Sequence, residues 1–246
     1  RKYIMLKRGL AFALALVMLA SVSVAGATGM EIEKNGQWYT EVSAWAKDGV
    51  EKAIDLGVAY WPSRGDAKTS ISRCYFAEDA AAVVALAYGS DLAAYEGFRV
   101  LQLMRGTGDN QKYAYETLDI LRGRGNGDMD FFGDITRQEA AVMLARAYRI
   151  YCDEIHDDME PLAYADKNDI ADWAKEDVAL ITHLGVMNGI GENKFDPKGV
   201  YTLEQCFVTL VRLYEKTAQG KTPVGENPFP LTEREKVIGC TWRGVK

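Results

Sequence analysis

Histidine is nearly missing from this chain. His156 and His183 are the two copies in 246 residues, and neither shares a metal-ligand spacing with the other or with a cysteine. Metal catalysis finds no support, and no metal or cofactor is expected. Cysteine is scarce as well, with four copies whose positions do not make a disulfide framework. Cys74 and Cys206 fall in the first turns of apolar helical runs, Cys152 ends another, and Cys240 lies in the tail, so they read as free thiols and small apolar fillers. An excess of positive charge is absent too. Twenty-nine Lys and Arg against 35 Asp and Glu leave a net charge of -6, which argues against nucleic acid or an anionic membrane as a partner held by bulk attraction. The acids are scattered along amphipathic helices rather than paired across a cleft, as glycoside hydrolysis would need. Half of the six prolines, Pro223, Pro228 and Pro230, crowd into one stretch, which reads as a linker.

What the chain does have is repetition. Apolar content of 48% suffices for a sizeable core, and one short phrase recurs in degenerate form as Ile71-Ser72-Arg73, Ile135-Thr136-Arg137 and Tyr201-Thr202-Leu203. Each copy follows a Gly-rich stretch and opens an apolar helical run, so a helix-loop-helix unit returns about every 65 residues. Ahead of the first unit, Lys7 and Arg8 precede an apolar run from Leu10 to about Val24 and the small residues Ala25-Gly26-Ala27. Residues 1–27 read as a signal peptide cleaved near Ala27, the alternative being an uncleaved membrane anchor. Loss of its basic residues makes the remaining chain more acidic.

The third unit, 160–216, is the clearest. A first helix is expected from Ile170 to Leu184, with Trp173, Ala174, Val178, Ile181 and Leu184 on one stripe and Gly185 as its stop. A loop running to Pro197 separates it from a second helix capped by Thr202, with Gln205 completing a capping box. The first unit, 40–88, repeats the plan: Trp45 stands twelve residues before Gly57, as Trp173 stands twelve before Gly185. Residues 89–151 hold a bridging helix and a worn second unit in which Thr107 takes the Trp position, although its loop and second helix are intact. Residues 217–246 form the Pro-containing linker and a short helix opened by Thr232 and Glu235.

The unit-three layout Trp-Ala, Leu-Gly-Val-Met-Asn-Gly, Asn-x-Phe-Asp-Pro and Tyr-Thr-x-Glu-Gln resembles S-layer homology domains, as do Ile-Thr-Arg-Gln-Glu in unit two and Trp-Ala-Lys with Ile-Ser-Arg in unit one. The resemblance covers roughly residues 40–216. It implies an all-α fold, in which three helix-loop-helix repeats close into a pseudo-threefold, three-pronged module. It further implies a secreted protein at the cell wall or S-layer of a Gram-positive-type bacterium. The implied role is non-catalytic surface anchoring, by non-covalent binding of a secondary cell-wall polymer, often pyruvylated, or another peptidoglycan-linked glycan. No membrane contact is expected once the signal peptide is gone.

The motif chemistry agrees with that implication. Thr136 as N-cap puts Arg137 in a first helical turn, where free N–H groups and the dipole favour an anion. An Arg fork suits a carboxylate such as that of a pyruvyl ketal. Ser72 and Arg73 repeat the pair. Gly123 and Gly125 let backbone approach a sugar, and Trp45 or Trp173 could stack on it. Each feature also has a plainer reading: any helix needs a cap, and a Trp on an apolar stripe is often core. Unit three departs from the pattern because Leu203 stands where the Arg belongs. A calcium-loop spacing overlaps unit two at Asp128, Asp130, Gly133, Asp134 and Glu139, but Phe132 occupies a ligand position, and Glu139 serves better as the partner of Thr136. Two other functions remain open: the anchor part of a longer surface enzyme such as a glycan hydrolase, or an S-layer interaction module without glycan affinity.

Overall fold

A computed structural model describes residues 29–59, 64–87, 119–124, 128–152 and 159–218. The expected signal peptide, the bridging helix, the first helix of unit two, Gly125, and all but the first two residues of the C-terminal segment lie outside the described residues.

The all-α expectation is overturned at the N-terminal end. Strands β1 (Met30–Lys34) and β2 (Gln37–Val42) form an antiparallel hairpin, and β3 (Arg64–Asp66) joins β2 in parallel, so the sheet is mixed and three-stranded. The reason is local. Ile32, Tyr39 and Val42 are buried while Glu31, Glu33, Trp38 and Glu41 face solvent, a near period-two pattern. Asn35 and Gly36 link the strands with φ of 53° and 78°, the positive pair that matches a hairpin's twist.

Among the described residues five α-helices follow the repeat plan: α1 (Lys47–Leu56), α2 (Arg73–Ala87), α3 (Arg137–Tyr151), α4 (Lys175–His183) and α5 (Leu203–Ala218). Helix α1 buries Val50, Ala53 and Ile54 and stops at Gly57 (φ 73°). Gly185 (φ 69°) and Asp119 (φ 50°) hold the same left-handed conformation one loop earlier than the other two helix starts, where glycine is least strained. The helix expected from Ile170 is shorter than its pattern. Short 3-10 turns at Lys167–Asp169 and Asp172–Ala174 precede α4, and Trp173 sits in the second of them rather than on the buried stripe.

Helices α2, α3 and α5 pack on one another, with α1 laid against α5 and α4 against α3. Thus a first helix rests on the second helix of the preceding unit. Where the three second helices begin, the backbone closes a ring: Ile71 N–H donates to Tyr201 O (3.1 Å), Tyr201 N–H to Ile135 O (3.0 Å) and Ile135 N–H to Ile71 O (3.3 Å). The next amides continue the rotation, Arg73 to Gly133 O, Arg137 to Gly199 O and Leu203 to Thr69 O, each at 3.0 Å. These extended segments are too short for a sheet, so cyclic pairing is how their polar backbone is satisfied in a buried setting.

Helix α3 carries the whole capping box, with the Thr136 side chain accepting from Glu139 N–H and the Glu139 carboxylate accepting from Thr136 N–H at 2.9 Å. At α5 one half forms: Gln205 accepts from Thr202 N–H at 3.3 Å, while Thr202 Oγ1 is buried without a partner among the described residues. Cys74, Cys152 and Cys206 are buried.

Candidate functional site

The two arginines of the repeated phrase do the same thing at successive joints between units. From the start of α2, Arg73 reaches into the loop before α3 and donates from Nη2 to Arg122 O (2.7 Å) and from Nε to Met129 O (3.4 Å). From the start of α3, Arg137 reaches into the loop before α5 and donates from Nη2 to Asn188 O (2.8 Å) and from Nε to Phe195 O (2.7 Å). Both residues are buried, at 3% and 4% exposure. The loops they grip fold alike, with Arg124 N–H on Asp128 O and Ile190 N–H on Lys194 O closing each turn. Gly123 and Gly189 occupy the point of closest return, where an added Cβ would lie 3.1 Å from Asp128 O or 2.6 Å from Lys194 O. Their lack of a side chain therefore serves the loop's own closure.

The charges of the two arginines are met differently. Arg73 Nη1 pairs with Glu139 at 2.7 Å. Burial works to raise the Glu139 carboxyl, but hydrogen bonds from Thr136 N–H and Oγ1 and the guanidinium groups of Arg124 and Arg73 hold it below the usual carboxylate range. Arg137 has no carboxylate within ion-pair distance among the described residues, and its Nη1 has no hydrogen-bond partner there. Its guanidinium lies 5.1 Å from the Phe195 ring centroid and 6.0 Å from that of Tyr201. Burial lowers its pKa against the longer-range pull of Tyr201, Asp196, Tyr164 and Asp166.

The calcium-like loop already contains a cation. Arg124 pairs with Asp130, donates from Nε to Glu139 (3.1 Å) and from Nη2 to Asp134 O (3.1 Å). Asp134 also accepts from Ser70 Oγ at 2.6 Å. No cluster of His, Cys, Asp and Glu able to hold a metal occurs among the described residues.

Trp45 and Trp173 stand out from the surface, 57% and 60% exposed. Equivalent backbone bonds fix their approach: Ala171 N–H donates to Gln138 Oε1 (3.0 Å) and Ser43 N–H to Glu204 Oε2 (2.8 Å). Each Trp is thereby placed two residues beyond a bond to the start of the preceding unit's second helix. The joint between units two and three brings together Arg137, Gln138 and Trp173. The joint between units three and one has Trp45 but offers Leu203 and Glu204. The joint between units one and two has Arg73, and its Trp position falls on Thr107, outside the described residues. Ser72 and Thr136 open their helices as expected, with Ser72 Oγ 3.3 Å from Cys74 Sγ.

Sequence reasoning did not single out Tyr39, Arg124 or Glu204. The alternation around Asn35-Gly36 was a readable signal for the first. Nothing in the spacing marks Arg124 as the partner of Glu139, because that contact depends on how the loop folds back.

The S-layer homology domain model matches residues 163–205, the segment holding Trp173, α4, the loop gripped by Arg137 and the start of α5. Among curated proteins, the chain is 34% identical over 98 residues to the exoglucanase XynX of Acetivibrio thermocellus, covering 40% of this chain and 9% of that protein. It is 32% identical over 83 residues to the amylopullulanase of Thermoanaerobacterium thermosulfurigenes, covering 34% of this chain and 4% of that one. An endoglucanase of Bacillus sp. (strain KSM-635) is 29% identical over 116 residues, 45% of this chain and 12% of the relative. The matched stretches are thus small parts of much longer relatives. The segment 163–205, with its Trp-Ala turn, Gly-Val-Met-Asn-Gly loop and Tyr-Thr helix start, is an S-layer homology domain segment.

Proposed function

We propose that this chain is a non-catalytic cell-surface anchoring module built of three S-layer homology repeats, and that it holds an anionic cell-wall glycan chiefly at the joint between units two and three. One observation carries the choice of joint. Exposed Trp173 belongs to the same joint as Arg137, a buried guanidinium with no carboxylate within ion-pair distance among the described residues, Asp196 and Asp166 acting on it only at longer range. A buried cation without a counter-ion is costly, so a ligand carboxylate arriving nearby offsets that cost, while the indole covers an apolar sugar face. At the preceding joint Glu139 already neutralises Arg73, which leaves less for an anion to gain. Ser72 and Thr136 act by opening the helices, and Gly123 and Gly125 by shaping their loop. The acidic chain would thereby bind an anionic polymer through local geometry.

The family match and the polysaccharide-degrading names of the relatives support the same reading at the level of the whole protein: an exported anchor, carried alone or as one part of a longer wall-bound enzyme. A second reading, an architectural module without glycan affinity, draws on the commitment of both arginines to protein carbonyls. Sedimentation with cell-wall sacculi separates the two. Binding to sacculi that keep their secondary polymer, lost after acid extraction of that polymer, supports anchoring. Equal sedimentation with both preparations, or with neither, supports the architectural module.

A further inference from the structure

The third joint lacks an arginine but not a clasp. Leu203 is 1% exposed, and its side chain has no donor to reach the loop of unit one as the arginines do. Tyr39, on β2 of the N-terminal hairpin, is fully buried and touches both sides of that joint. Its ring lies edge-on to Phe207 of α5, with centroids 5.2 Å apart. Its hydroxyl is 3.1 Å from Ala59 O, beside the position whose counterparts, Arg122 O and Asn188 O, accept from Arg73 and Arg137. Backbone pairing completes the grip: Tyr39 faces Gly65 in the parallel β2-β3 ladder, at the place of Met129 and Phe195 in the other loops, and Ala67 N–H donates to Thr40 O at 2.8 Å.

We propose that the hairpin of residues 30–42 is a substitute clasp, fixing the unit-one loop to unit three as Arg73 and Arg137 fix the other two loops, and that this joint is closed to anionic ligands. Tyr39 is the positioning residue. The substitution changes the chemistry of the joint as well as its mechanics. A guanidinium is replaced by a neutral phenol and a strand ladder. The neighbouring buried charge is a carboxylate, Glu204, satisfied by Ser43 N–H (2.8 Å), Ser43 Oγ (3.0 Å) and Lys68 Nζ (2.5 Å). An incoming anion would meet a Lys68 ammonium already committed to that carboxylate, instead of a guanidinium with no ion-pair partner among the described residues. Trp45 is then a surface aromatic at a joint without the arginine that the joint of Trp173 has.

The clasp does not depend on the anchoring reading; the closure does. Hydrogen exchange on the whole chain tests both. Without ligand, Tyr39→Ala should speed exchange of amides in 64–69 by tenfold or more and leave 128–136 and 186–201 as in the parent. Tyr39→Phe, which keeps the ring and removes the hydroxyl shared between Ala59 O and Gln37 Oε1, both at 3.1 Å, should speed 64–69 about fivefold. No change in 64–69 in either variant, or an equal rise in all three loops in Tyr39→Phe, overturns the clasp. With acid-released wall polymer as probe, protection should appear in 171–175 and 188–196 and be absent from 43–47 and 64–69. Protection at the latter overturns the closure. Protection nowhere sinks glycan binding itself, and the clasp is still decided by the ligand-free measurement.

Discussion

Glu139 is at once the cap partner of Thr136 and the counter-ion of Arg73, 2.7 Å away across the joint between units one and two. One carboxylate therefore couples the start of α3 to the side chain that ties α2 to the next loop. Breaking a largely buried pair leaves a charge uncompensated, a loss of about 3–5 kcal/mol; with Glu139 partly exposed, Glu139→Ala should cost about 2–4 kcal/mol in chemical denaturation. A loss under about 1 kcal/mol would show that the pair is not a joint.

The same carboxyl predicts a pH dependence. Its folded pKa is held below the ordinary value of 4.5, so the unfolded chain binds its proton more readily, and stability rises with pH through that range. The contribution is fully present above the unfolded pKa and lost as pH falls through the folded one. In acid titrations followed by circular dichroism, Glu139→Gln should flatten the loss of stability below about pH 4.5.

Trp173→Ala should leave the melting temperature near that of the parent, because substitution of an exposed side chain costs within about 0.5 kcal/mol. Wall binding should nonetheless fall by about thirtyfold, the effect of losing an aromatic anchor worth about 2 kcal/mol. Trp45→Ala should change binding little. A co-sedimentation isotherm for each variant is the check, and the reverse order would move the site to the third joint.

Alanine at the phrase position should report on folding first. The guanidinium groups of Arg73 and Arg137 span between units, and Leu203 is core, so none of the three is a silent surface site. Leu203→Ala should cost about 2–5 kcal/mol through the cavity it leaves. Arg137→Ala should cost at least about 2 kcal/mol, because the Asn188 and Phe195 carbonyls lose their donors. Urea midpoints settle both. A Leu203 variant as stable as the parent would show that the third joint is loose.

Calcium should do nothing. Arg124 lies among Asp130, Glu139 and the Asp134 carbonyl, and a tethered cation excludes a free one by occupancy and charge. Melting temperatures in excess calcium and in chelator should coincide; a calcium-dependent rise would place a metal there instead.

The fold was legible wherever periodicity and stop signals are local. The second helices, their starts at Arg73, Arg137 and Leu203, the stops at Gly57 and Gly185 and the capping box of Thr136 follow from residues within a few positions of one another. The hairpin was legible as well, in the alternation around Asn35-Gly36. The all-α expectation passed over it because it rested on the resemblance carried by the repeats, and the hairpin lies largely ahead of them.

By itself the sequence determined that a helix-loop-helix phrase recurs, that one copy lacks its arginine, and that segment 163–205 carries the family's pattern. Only the tertiary structure decided what the arginines do. A helix-start arginine reads as an anion site in isolation, because free N–H groups and a positive side chain share one turn. In the folded chain the ring at Ile71, Ile135 and Tyr201 brings the next unit's loop within reach, and its carbonyls take the guanidinium donors. Trp173 went the other way, onto the surface, because a 3-10 turn precedes α4 and turns its indole away from the apolar stripe that its spacing had indicated. Both outcomes depend on contacts between segments far apart in the chain, which no local spacing encodes.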